Sequence, residues 1–306
     1  MHSAVFRRAF AAFAFSSALL AQNPANDDPA DLIKQGQALA RQGKIDDALA
    51  MYRNALQLAP DSYQANDAAG AALDLKGEYA EARKRFAKAI QSAPSPANKI
   101  RALRDMALSY GFEGNCRSAV PHDQQAYDLE LAAKDFYNAG EVADELARLC
   151  IDSGDLDTAA KWYRTGYEAG LREPDIKPDR KHLWEFRWEH AQARVAARRG
   201  NKAEAQKHVE AAKAALAHGD NEQQQQFLPY LLGYVAFYGG DYKTALEQFQ
   251  KANQNDAFIL AMIAQTQEKL GNKGEAMDSY RRILTFTAHN PPVAYARPLA
   301  KKKLGQ

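Results

Sequence analysis

Residues 36–60 read GQALARQGKIDDALAMYRNALQLAP, and residues 70–94 read GAALDLKGEYAEARKRFAKAIQSAP. Gly36, Leu39, Gly43, Ala48, Tyr52, Ala55 and Pro60 of the first stretch are matched 34 residues later by Gly70, Leu73, Gly77, Ala82, Phe86, Ala89 and Pro94. Seven matches at one spacing mark an internal repeat. A period of this size belongs to stacked solenoids, in which a two-helix unit cannot bury its apolar face alone and needs its neighbours.

Each residue type in the repeat has a physical task. Gly36 or Gly70, with Ala48 or Ala82, allows two antiparallel helices to cross closely, because larger side chains would hold the axes apart. Gly43 or Gly77 is expected to end the first helix in a left-handed conformation that carries no steric penalty for glycine. Tyr52 and Phe86 are expected to fill the gap between helices one turn beyond the close contact. Pro60 and Pro94 stop the second helix, since proline lacks the N–H donor and crowds the preceding turn. The glycine column continues at Gly114, Gly154, Gly200, Gly240 and Gly271, each followed five residues later by alanine. Glycine spacings of 34, 37, 40, 46, 40 and 31 residues predict longer helices and loops in the middle units.

On these residues the chain resembles the tetratricopeptide repeats, helix-turn-helix units of 34 residues. The tryptophan usual near the start of the first helix is replaced by Leu32 in the first unit and Asn66 in the second. The resemblance implies an all-α, right-handed α-solenoid of about seven units over residues 29–290, followed by a capping helix and tail over 291–306. The run Glu173-Pro174-Asp175-Ile176-Lys177-Pro178-Asp179 cannot be helical throughout and predicts a loop, a candidate joint within 171–182. Gln223 to Gln226 read as a solvated helix start, and Lys301, Lys302 and Lys303 as a solvated tail.

Residues 1–21 differ in kind. Arg7 and Arg8 precede an uncharged stretch from Ala9 to Ala21, the pattern of a secretory signal peptide cleaved near Ala21, with 22–28 as a short linker. The stretch is shorter than the ~20 residues of a spanning helix. Removing Arg7 and Arg8 from the 40 basic residues leaves 38 against 38 acidic ones. A chain without net charge has no overall electrostatic pull toward nucleic acid or anionic membrane. The expected location is therefore periplasmic or secreted, with no integral span in the mature chain. In an oxidising compartment Cys116 and Cys150, in neighbouring units, are a candidate disulfide; the alternative is a buried Cys150 and a free Cys116.

Catalytic motifs are not evident, and neither a cofactor nor a metal is expected. Glu189-His190 has no second histidine at metal-binding spacing and reads as a surface pair. Asp152, Asp155 and Asp157 surround the turn at Gly154 and read as helix-end and cap residues. Trp184 and Trp188, one helical turn apart, read as packing residues.

In the resembled family the concave face is lined by the second, fifth, ninth, twelfth and thirteenth positions of each first helix. That register selects Arg187, His190, Arg194, Ala197 and Arg198 in the fifth unit and Phe227, Tyr230, Tyr234, Phe237 and Tyr238 in the sixth. The fourth unit offers Glu141, Asp144, Arg148 and Asp152. Adjacent basic and aromatic stripes suit an extended peptide, with arginine bonding carboxylates and rings packing on apolar side chains. An aromatic stripe also suits a core, so both readings stand. The carboxylate clamp of chaperone-binding members is not expected, because its positions hold Ile33, Gln37, Ala68, Arg101 and Asp105, of which Arg101 alone is compatible. The resemblance implies a non-catalytic scaffold for protein or peptide partners in the cell envelope. The alternative is an envelope solenoid that binds or processes carbohydrate or peptidoglycan with the same aromatics.

Overall fold

The computed structural model describes residues 28–306, so the candidate signal peptide and most of the linker lie outside the described residues. Helices α1 (Pro29–Arg41) and α2 (Ile45–Leu58) form the first unit, α3 (Tyr63–Lys76) and α4 (Tyr79–Ser92) the second, α5 (Pro96–Phe112) and α6 (Cys116–Ala132) the third. The fourth is α7 (Phe136–Ser153) with α8 (Leu156–Gly170), and the fifth is α9 (Pro178–Arg198) with α10 (Lys202–Leu216). The sixth begins with a 3-10 turn (Glu222–Phe227) before α11 (Leu228–Gly239) and α12 (Tyr242–Lys251). Helices α13 (Ala257–Leu270) and α14 (Lys273–Ile283) complete the seventh, and α15 (Pro291–Leu304) follows. The described chain is an all-α solenoid.

The seven column glycines explain the repeated turn. All have positive φ, from 65° at Gly114 to 95° at Gly77. In every unit the N–H of the residue after the glycine donates to the carbonyl four residues before the glycine, as in Glu78 to Leu73 at 2.9 Å and Asp155 to Cys150 at 2.9 Å. That bond closes the helix end that would otherwise leave carbonyls unsatisfied. In the third to sixth units the next residue, Asn115, Asp155, Asn201 or Asp241, also caps the following helix with its side chain. Two adjacent residues thus end one helix and start the next.

The small residues inside the helices serve close packing, with one correction to the sequence reading. Tyr52 and Phe86 lie directly on Gly36 and Gly70, not one turn beyond; a β-carbon at Gly70 would sit 2.6 Å from the Phe86 ring. Gly70→Ala is therefore expected to lower stability by about 1–3 kcal/mol through overpacking. Gly274→Ala, in α14 with open space around it, is expected to gain about 0.5–1 kcal/mol from helix propensity. Denaturation midpoints of the two variants check the contrast; equal midpoints would remove the packing role of Gly70.

The seven residues 171–177 separate α8 from α9. Trp184 crosses back under this loop, fully buried, where its ring fills the space left by Gly140 and Gly170. Trp188 stacks on Tyr167 with ring centres 5.3 Å apart.

The C-terminal helix does more than cover the seventh unit. It packs on α13 and α14 and also on α5 and α7, bringing the end of the chain into the concave face of the first half. Of the lysines there Lys302 is exposed as a solvated residue, but Lys301 and Lys303 are held by the protein. Lys301 donates to the carbonyl of Lys76 at 2.5 Å, and Lys303 pairs with Glu268 at 2.7 Å. Arg297 donates to the carbonyls of Leu75 at 2.7 Å and Leu284 at 2.8 Å. Helix C-termini carry partial negative charge, so the end of α3 is a favourable place for these cations.

Candidate functional site

The first helices of the fourth and fifth units, with the start of the sixth, enclose a concave cavity of 330 Å³. Helix α7 contributes Glu141, Asp144, Glu145 and Arg148; α9 contributes Phe186, Arg187, His190 and Arg194. Gln224 and Phe227 of the 3-10 turn, Tyr230 of α11, Tyr163 of α8 and Pro291 of α15 complete the wall. The i, i+3, i+4 spacing on α7 and α9 puts these side chains on one face of each helix.

Three arginines have different partners. Arg187 pairs with Glu141 and lies over the Trp184 ring at 5.0 Å. Arg194 is buried and donates to the hydroxyls of Tyr163 at 2.9 Å and Tyr230 at 3.2 Å, with no carboxylate in hydrogen-bond reach. Arg148 packs its guanidinium 4.8 Å above the Phe258 ring, its nearest carboxylate oxygen is Asp152 at 3.9 Å, and its Nε and Nη2 have no hydrogen-bond partner in the protein. Glu145 pairs with Arg104, outside the cavity wall.

Burial sets the protonation of the neighbours. It lifts the Asp144 carboxyl to about 7 against the pull of Arg187, and the Asp152 carboxyl to about 6 against Arg148. Burial, reinforced by the positive charges of Arg194 and Arg148, holds the His190 imidazole well below its ordinary value and hence neutral. His190 is therefore a buried wall residue and not the surface partner of Glu189, which bonds His208 instead.

Of the concave candidates, Arg187, His190, Arg194, Phe227 and Tyr230 meet at this cavity. Arg198, Tyr234 and Phe237 do not line it. Arg198 lies 5.1 Å over the Tyr238 ring, and Phe237 packs edge-on against Tyr238 and Tyr242. Tyr234 is buried against Tyr238 and Phe258. The aromatic stripe is thus largely core, and Phe227 is its exposed member at 40%. Phe186 and Tyr163 escaped the register because one lies a position before Arg187 and the other on a second helix. The repeat marks Tyr163 as a packing position, which was the available signal.

A second cavity, of 550 Å³, lies on the concave face of the first three units between Tyr52, Tyr63, Asp67, Arg101 and Asp105, with Thr287 and His289 on its far side. His289 accepts or donates at both ring nitrogens, 2.9 Å from Asp105 and 2.9 Å from Asp74, and stacks between Phe86 and Phe112 at 5.5 Å from each. Burial alone would favour the neutral ring, but the bonds to Asp105 and Asp74 outweigh it and raise the imidazolium to about 10. Nothing in the local sequence around His289 signals this contact.

Cys116 at the start of α6 and Cys150 in α7 form a disulfide, Cα atoms 4.8 Å apart, which staples the third unit to the fourth. With a sequence separation of 34, its loss through Cys116→Ser with Cys150→Ser is expected to reduce stability by about 3–4 kcal/mol. Denaturation with and without reductant checks this, and coincident curves would refute it. Among the described residues no group of three or more histidine, cysteine or acidic side chains is arranged for a metal ion, and no helix is long and apolar enough to cross a membrane.

Models of the tetratricopeptide repeat match residues 33–97 and 259–290. Two curated relatives, photosystem I assembly proteins Ycf3 of Synechococcus sp. (strain CC9902) and Parasynechococcus marenigrum (strain WH8102), are each 24% identical over 103 residues. The match spans 33% of this chain and 60% of theirs. Among solved structures the apo form of RapI is similar with a TM-score of 0.58 at 10% identity, over 90% of this chain and 98% of that one. A tetratricopeptide repeat protein from Parabacteroides merdae gives 0.49 at 15% identity, over 83% and 91%. With the repeated glycine turn and the paired helices, the family models at both ends of the solenoid show that this is a chain carrying tetratricopeptide repeats.

Proposed function

We propose that this protein is an exported, non-catalytic scaffold that holds polypeptide partners against the concave face of its fourth to sixth units. The observation that carries this reading is the convergence of Arg187, His190, Arg194, Phe227 and Tyr230 on one cavity. Arginine and aromatic side chains at the edge of a concave surface are the types that dominate binding energy in protein interfaces. Export is supported by the basic and apolar pattern of residues 1–21 and by the Cys116–Cys150 bond, which suits an oxidising compartment. The carbohydrate reading loses support, because a sugar platform needs exposed ring faces and the Tyr230 and Tyr234 rings are buried.

The test is capture of partners from a solubilised envelope extract by the chain starting at Gln22, beside a variant carrying Arg187→Glu and Phe227→Ala. Phe227 is exposed, but Arg187 is half-buried and pairs with Glu141, so circular dichroism and a denaturation midpoint first establish that the variant folds. Arg194, Tyr230 and Tyr234 are unsuitable, since all are buried. A polypeptide retained by the native chain and lost by the folded variant supports the reading. Retention by both would move the binding surface elsewhere.

A further inference from the structure

The inner face of the first three units is filled by the chain itself. Residues 286–289 belong to no regular element, and from this segment His289 enters a four-walled socket. The Phe86 and Phe112 rings flank the imidazole with their centres 5.5 Å away, and its two nitrogens meet Asp105 and Asp74 at 2.9 Å each. Asp74 is 1% exposed and accepts one further bond, from the Ser109 hydroxyl at 2.8 Å. Two aromatic faces with a carboxylate at each edge suit a flat cation that has N–H donors on opposite sides. A compact ammonium has no flat face to lay against both rings.

The contacts of α15 with the two halves of the solenoid differ in kind. Toward α13, Tyr295 packs on the Phe258 ring at 5.0 Å and accepts a bond from Gln265 at 3.0 Å, while Lys303 pairs with Glu268. Toward the first half, Arg297 and Lys301 reach backbone carbonyls at the end of α3. Between α15 and the side chains of Phe112 and Leu149 a gap of 240 Å³ remains. On the other side of His289 lies the cavity of 550 Å³, with Gln37, Gln64 and Asn98 around it. Close-packed interiors leave few voids larger than a water molecule, so these spaces mark a surface contact and not a permanent core.

We infer that the socket of Phe86, Phe112, Asp74 and Asp105 is a binding site for the planar cationic side chain of a partner polypeptide, kept filled by His289 as an internal plug. Arginine meets the same requirements as the imidazolium, because its guanidinium is flat, always charged and carries donors on several edges. Once the plug leaves, Asp74, Asp105 and Asp67 attract an incoming cation. Arg101 faces both Asp67, at 3.4 Å, and Asp105, at 3.7 Å, and Arg83, on the Asp74 side, is paired with Glu113. The cavity of 550 Å³ gives room for the residues that flank the entering side chain. This site lies on the first three units and does not depend on the reading of the central cavity.

Fluorescence anisotropy tests this with labelled peptides of residues 284–293, blocked at both ends and carrying histidine, arginine, lysine or alanine at the position of His289. On the full chain with His289→Ala, its folding checked by circular dichroism, the histidine and arginine peptides are expected to bind at least tenfold more tightly than the lysine and alanine peptides. The same two peptides are expected to bind the native chain at least tenfold more weakly, because its socket is filled. Absence of binding, binding that ignores the residue type, or equal binding to the two chains overturns the inference. If His289→Ala does not fold, Lys301→Ala gives a second route, since it leaves the socket intact and removes the bond to the Lys76 carbonyl. It is expected to raise affinity for the arginine peptide at least threefold over the native chain, and no rise overturns the inference. A second copy that exchanges its own C-terminal segment would make the native chain a dimer in sedimentation, and that result would overturn a partner polypeptide as the occupant.

Discussion

His289→Ala is expected to loosen α15 from the first half of the solenoid. The imidazolium sits between the buried Asp74 carboxylate and that of Asp105, and removing it leaves two acids desolvated with no shared counter-charge. Breaking a buried pair of this kind costs about 3–5 kcal/mol. The loss is local, because each unit of a solenoid is stabilised chiefly by its neighbours. Amide exchange in α15 is therefore expected to accelerate about a hundredfold or more, since ~1.4 kcal/mol is a factor of ten, with little change in α9 and α10. Unchanged exchange in α15 would show that the apolar contacts and Arg297 hold it unaided.

The same contact has a pH dependence of definite sign. The imidazolium of His289, held at about 10, binds its proton more tightly in the folded chain than in the unfolded one. Its stabilisation is complete below the ordinary histidine range near 6.5 and is lost as pH rises through about 10. Asp67, lifted to about 7 by burial and by the neighbouring Asp105, acts in the same direction between its ordinary 3.8 and that value. Asp105 opposes this at the acid end. Burial would raise its carboxyl, but the bonds from His289 and the charge of Arg101 hold it below its ordinary value, so its contribution is lost as pH falls through that lowered range. Closure is expected to be firmest from mildly acidic to neutral pH and to weaken in alkali. Nitrogen shifts of His289 that remain those of a doubly protonated ring at pH 8 would check the assignment; titration near 6.5 would refute it.

Trp184→Ala is expected to free the joint between the fourth and fifth units. The ring is fully buried against Gly140 and Gly170, meets Tyr137 edge-on at 5.7 Å, and donates from Nε1 to Glu173 in the loop at 3.2 Å. Truncating a buried tryptophan costs about 3–5 kcal/mol. Here it also removes the side chain that secures the loop to the start of α9. Trypsin is expected to cut the native chain slowly after Arg172 and the variant rapidly. Equal cleavage would show that the loop is held by other contacts, such as the pair between Arg180 and Glu173 at 3.8 Å.

Much of the concave site was legible, because the helical register carries over from the repeat. Glu141, Asp144 and Arg148 on α7, and Arg187, His190 and Arg194 on α9, were selected by position and line one cavity. Their environments were not legible. Arg194 and His190 belong to residue types usually found at surfaces, and their burial depends on Tyr163 and Phe186 closing over them from positions the register omits. Tyr234 likewise shares a stripe with Tyr230 but is buried against Tyr238 and does not line the cavity.

The sequence by itself determined the repeating unit: the glycine turn, the cap that follows it, and the small residues where its paired helices cross. Every one of these depends on residues close along the chain, so a pattern of residue types suffices to encode it. Closure of the solenoid was decided only by the tertiary structure. His289 meets Asp105 and Asp74 across 184 and 215 residues. Whether they meet depends on the small rotations between successive units added over the whole array, and no local pattern records that sum.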